Sequence, residues 1–172
     1  MTQRKSTQLT KKLATCSALT ALALIFSYVE VLIPFSFGIP GIKLGLANIV
    51  VLISIYSLGA KYGLFINLAR IALSALMFGN AFSVIYALSG GLISLAVMLL
   101  AKKAGIFSVI GVSMAGGVFH NLGQLLIAAL VMQTGRIMYY FPVLLISGML
   151  TGILTGFIAA LVLRALKYLR KN

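Results

Sequence analysis

Leu13 to Leu32 reads LATCSALTALALIFSYVEVL, and how this stretch is read decides the fold. At a helical rise of about 1.5 Å per residue, about 20 apolar residues match the roughly 30 Å hydrocarbon core of a bilayer. A secretory leader has a shorter apolar core, about 7–15 residues, followed by a small-x-small cleavage site. Arg4, Lys5, Lys11 and Lys12 precede the run, and no such site closes it. The segment is therefore expected to remain as a membrane-spanning helix.

Five further apolar stretches follow that first span, which ends near Ile33. They are Leu44–Leu58, Leu64–Phe78, Phe82–Leu100, Ile106–Met132 and Tyr140–Leu163. The second and third are only about 15 residues each, short for a crossing, and are expected to extend into their flanks. Apolar residues run all round these segments instead of along one stripe, as lipid-embedded helices require. Of 172 residues 62% are hydrophobic and 9% charged, with a mean hydropathy of +1.14. About a quarter of a soluble domain's residues are charged, so a soluble enzyme is excluded. The single cysteine, Cys16, excludes an internal disulfide. The expected architecture is all-α: a single transmembrane domain over residues 1–172, built as an integral membrane bundle of six transmembrane helices. Residues 1–12 and 164–172 form basic ends. No inverted repeat is visible.

Charge fixes an orientation. Fourteen Lys and Arg stand against one acid, Glu30, for a net charge of +13. The basic residues punctuate the spans and form no single patch, which argues against nucleic acid. With the N-terminus inside, Lys43 and Arg136 fall outside and Arg70 lies within the third span; the other eleven fall inside. The positive-inside rule then gives N-in, C-in, a multi-pass cell-membrane protein with both termini cytoplasmic. The first outer connection, PFSFGIPGIK (Pro34–Lys43), cannot be helical with two prolines and two glycines. It reads equally as a plug over a cavity or as a plain connector.

Polar residues at bilayer depth are costly and face the protein interior or a water-filled cavity. The fifth span holds His120, Asn121 and Gln124 among Gly116, Gly117 and Gly123. They suit either a ligand-facing cluster or hydrogen bonds that hold the bundle. In the third span Asn67, Arg70 and Ser74 share a helix face. Arg70 either neutralises Glu30 or meets a ligand anion. Lys43 and Arg136 have almost no acid to pair with, so they suit an outer pocket for a carboxylate or phosphate, or else lipid phosphates. One His, one Cys, one Glu and no Asp cannot supply a usual metal set. No cofactor is implied.

Two stripes of small residues signal close helix packing. In the last span Gly148, Gly152, Gly156 and Ala160 recur every fourth residue, flanked by Ser147, Thr151, Thr155 and Ala159. In the first span Ala14, Ser17, Ala18 and Ala21 form a weaker stripe. The spacing leaves open whether each partner helix lies in this chain or in another.

At PGIKLGLANIVVL (Pro40–Leu52), taken with the six-span plan, the chain resembles the membrane family called Gx transporters. That family is also labelled heptaprenyl diphosphate synthase component I, and it resembles the substrate-binding S components of energy-coupling factor (ECF) importers. The resemblance covers essentially the whole chain. It implies capture of a small organic compound on the outer face and coupling to a shared transmembrane subunit and two ATPases. Ala14 and Ala18 would form the docking face for the coupling subunit. The loop before Lys43 and spans four to six would enclose the substrate. The substrate-binding residues would be Lys43, Asn48, Arg70, His120, Asn121, Gln124 and Arg136, with Gly148, Gly152 and Gly156 packing helices.

The synthase label meets a chemical objection, since a prenyl diphosphate synthase holds Mg²⁺ and diphosphate with aspartate-rich motifs and this chain has no aspartate. It also lacks a Walker A sequence, so any ATP hydrolysis would reside in partners. The expected function is therefore a non-enzymatic binding subunit of an ECF-type importer for a small anionic or amphipathic compound. The alternative is a non-catalytic membrane subunit serving heptaprenyl diphosphate or quinone synthesis. A self-associating channel is a weaker third.

Overall fold

A computed structural model of the chain describes residues 2–32, 45–78 and 81–169. Among these residues every regular element is helical: α1 (Thr2–Leu32), α2 (Leu46–Ser57), α3 (Ala60–Phe78), α4 (Ala81–Ala104) and α5 (Val109–Val131), then a 3₁₀ helix (Gly135–Tyr140) leading into α6 (Phe141–Leu169). Five of the helices are long and apolar enough to cross a membrane, with the 3₁₀ turn counted into the last; α2 is apolar but shorter. The outward faces carry large apolar side chains, among them Phe65, Leu150, Leu154 and Phe157. Water would not tolerate such a surface, whereas lipid requires it. This is the fold of a multi-pass membrane protein.

The expectation that the two short spans lengthen into their flanks holds for one of them. α3 starts at Ala60, four residues before the expected Leu64. α2 does the opposite: it has 12 residues, about 18 Å of helix, too little to cross a core of about 30 Å. Its first turn stops at Gly45, whose φ of 71° places the backbone in the left-handed region that glycine tolerates.

α2 is short because it sits inside the protein. It packs against α1, α3, α4 and α6, and Ala47 and Ile49 to Ile55 are all buried. A buried helix must still satisfy its end groups. Glu30 Oε1 of α1 accepts the Leu46 N–H at 2.6 Å. At the other end Lys102 Nζ of α4 donates to Ile55 O at 2.6 Å, with its ammonium 4.5 Å above the Tyr56 ring. Both charges complement the helix dipole, acid at the N-terminus and base at the C-terminus. The chain's one acidic residue is thus spent on an internal helix end.

α5 and α6 meet along the glycine ridge. A Cβ built on Gly152 would lie 2.6 Å from Met114 Cα, and one on Gly156 2.8 Å from Ile110 Cα. Gly148 faces Gly117 O, and a Cβ on either glycine would strike the other's backbone. Beside this contact Ser113 and Thr155 share a hydroxyl hydrogen bond of 3.0 Å, and Asn121 Nδ2 donates to Leu144 O at 2.8 Å. The helix that the ridge receives belongs to this chain. α4 approaches α5 by the same device, with a Gly123 Cβ only 3.1 Å from Gly90 Cα.

Candidate functional site

Around the start of α2, the described residues of α1, α2, α3, α4 and α5 line a chamber of about 120 Å³, with Glu30, Asn48, Arg70, Ser74, His120 and Gln124 among others in its wall. Small residues make the room: Ala47, Ala75 and Ala87 complete much of the wall. Gly90 and Gly91, one turn further along α4, let His120 and Asn67 approach. A Cβ on Gly90 would sit 2.9 Å from His120 Cε1, and one on Gly91 3.1 Å from Asn67 Nδ2.

Arg70 is the centre of the chamber's chemistry. It is 7% exposed, and its hydrogen bonds go to neutral amide oxygens. Nη2 donates to Asn67 Oδ1 at 3.0 Å and to Asn48 Oδ1 at 3.4 Å, while Nε donates to Asn67 Oδ1 at 3.2 Å. Asn67 is fixed in turn by donating from Nδ2 to Gly91 O at 3.0 Å. Neutral acceptors hold the guanidinium in place without cancelling its charge.

Glu30 faces the same chamber, and its charge attracts Arg70 across it. Its Oε1 is engaged by the Leu46 amide. The two charges therefore share one site, each with a structural contact of its own, and neither sequence-based reading of the pair exhausts what they do. Two buried polar atoms at this wall, Ser27 Oγ and Gln124 Oε1, have no hydrogen-bond partner among the described residues. Both atoms are buried, and an unmet buried group costs roughly 1–3 kcal/mol.

A second chamber of about 440 Å³ adjoins the first between α4, α5, the 3₁₀ helix and α6, lined by Tyr86, Leu125, Ala128, Met132, Ile137 and Leu144 among others. Ser83 and Gln124 belong to both walls.

Of the residues singled out from sequence, Asn48, Arg70, His120 and Gln124 come together in the polar chamber. Asn121 turns to the second chamber and bonds α6. Arg136, on the 3₁₀ helix, is exposed and lines neither chamber. Lys43 and the Pro34–Lys43 loop lie outside the described residues. The resemblance puts the enclosure between the loop before Lys43, which lies outside the described residues, and spans four to six; α4 to α6 wall the second chamber, whereas α1 to α5 wall the polar one. Ser27 and Ser83 escaped the sequence reading. Ser27 and Glu30 are three apart on one face of α1, a spacing that could have flagged the first. Ala14 and Ala18 are exposed among the described residues.

The family model described as heptaprenyl diphosphate synthase component I matches residues 19–162, more than four fifths of the chain. No curated protein and no solved structure matches it.

Proposed function

The chain belongs to the heptaprenyl diphosphate synthase component I family, and from that premise we propose that it is the substrate-binding membrane subunit of an ECF-type importer, not an enzyme. It takes a small anionic or amphipathic organic compound, N-in and C-in, and relies on a transmembrane coupling subunit and two ATPases for energy. The observation that carries this reading is the chamber around Arg70: a buried guanidinium held by neutral amides, at membrane depth, beside unsatisfied polar atoms. The exposed Ala14–Ala18 stripe gives a partner helix a place to approach closely.

The second reading, a non-catalytic membrane subunit for heptaprenyl diphosphate synthesis, is favoured by the family description itself. Affinity purification in mild detergent, with partners identified by mass spectrometry, separates the two. Recovery of two ATPases and a common transmembrane subunit is the expected result. Recovery of a soluble prenyl synthase subunit without ATPases would replace the importer reading with the second.

A further inference from the structure

The importer reading says that something small is bound; the two chambers together say what kind of molecule. The polar chamber, about 120 Å³, is below the range of small-molecule pockets, about 300–1,000 Å³. It is large enough for a headgroup and no more. The neighbouring chamber of about 440 Å³, which shares Ser83 and Gln124 with its wall, lies within that range. The two halves differ in chemistry: one presents Arg70, Asn48 and His120, the other is mostly aliphatic and aromatic. Gln124 stands at the junction, 4% exposed, with Oε1 lacking a hydrogen-bond partner among the described residues.

We infer that the site takes a single-chain amphiphile, its small anionic head against Arg70 and its apolar chain in the chamber lined by Leu125, Ala128 and Leu144. The head's oxygens accept from the guanidinium. This inference rests on the importer reading for its biological meaning but makes its own demand on binding.

The test uses the full chain in phosphatidylcholine nanodiscs at pH 6, titrated calorimetrically with inorganic phosphate, butyl phosphate, octyl phosphate and octanol against empty nanodiscs. Each methylene newly buried is worth about a fourfold gain at most, so affinity should rise at least tenfold from phosphate to octyl phosphate. Octanol should bind at least tenfold more weakly than octyl phosphate. Ala128→Phe, which fills the apolar chamber, should bring octyl phosphate down to the level of butyl phosphate and leave inorganic phosphate unchanged. Arg70→Gln should erase the advantage of octyl phosphate over octanol; should that variant not fold, the octanol comparison stands in its place. Equal affinity along the phosphate series would overturn the inference. So would octanol matching octyl phosphate, or native mass spectrometry showing a two-chain phospholipid that octyl phosphate cannot displace. A flat series in a chain that co-purifies with ATPases removes the ligand class alone; a steep series without ATPases removes the importer reading alone.

Discussion

Two stripes of small residues have opposite fates in this molecule. On α6, Gly148, Gly152 and Gly156 are buried against α5 so closely that no Cβ would fit. On α1, Ala14 and Ala18 carry the same four-residue spacing and are left exposed. Spacing alone reports that a helix can approach; it does not report which helix, or whether the partner is in the chain. The difference lies in what each stripe must offset. The α6 ridge brings backbone onto backbone, gaining dispersion contact along the seam and supported by the Ser113–Thr155 and Asn121–Leu144 bonds. The alanine stripe has no glycine, and Ala14 and Ala18 stand exposed.

Breaking the first stripe should have the largest effect. Gly152→Val drives a branched side chain into Met114 Cα and should cost about 3 kcal/mol or more, read as loss of a monodisperse peak and a collapsed melting temperature in detergent. The next contrast lies at the ends of α2. Glu30→Leu strands the Leu46 amide inside the bundle and should cost about 1–3 kcal/mol, measured by thermal denaturation; Glu30→Gln, which keeps an acceptor, should cost less. A double exchange, Glu30→Arg with Arg70→Glu, should fail to restore the stability lost in either single exchange, because a guanidinium cannot accept from Leu46. Full restoration would reduce the two residues to a simple ion pair. Lys102→Met removes the hydrogen bond to Ile55 O and the contact with Tyr56, for a loss of about 1 kcal/mol. The smallest effect on stability belongs to the second stripe. Ala14→Leu with Ala18→Leu should leave the melting temperature within the equivalent of about 0.5 kcal/mol while abolishing co-purification of a coupling subunit. A large destabilisation would mean that the stripe is packed after all.

The chamber was partly legible beforehand. Arg70, His120 and Gln124 stand out because polar groups at bilayer depth need a reason, and they do converge. Ser27 and Ser83 did not stand out, since a serine in an apolar helix commonly bonds its own backbone, as Ser54, Ser57 and Ser74 do here. Arg136 drew notice for its charge and sits apart from both chambers.

Composition and periodicity by themselves determined that this is a helical membrane protein and that aspartate-based metal chemistry is closed to it; they placed the apolar stretches but not every helix end, since α1 begins at Thr2 and not at Leu13. Those properties are local: a run of apolar side chains must be helical in lipid wherever its neighbours lie. Tertiary structure alone decided that α2 is an internal helix too short to span, that the lone acid caps it, that α5 receives the glycine ridge, and that a charged chamber opens beside an apolar one. Each of these depends on which side chains of distant segments meet, and a pattern along one helix carries no coordinate for the next.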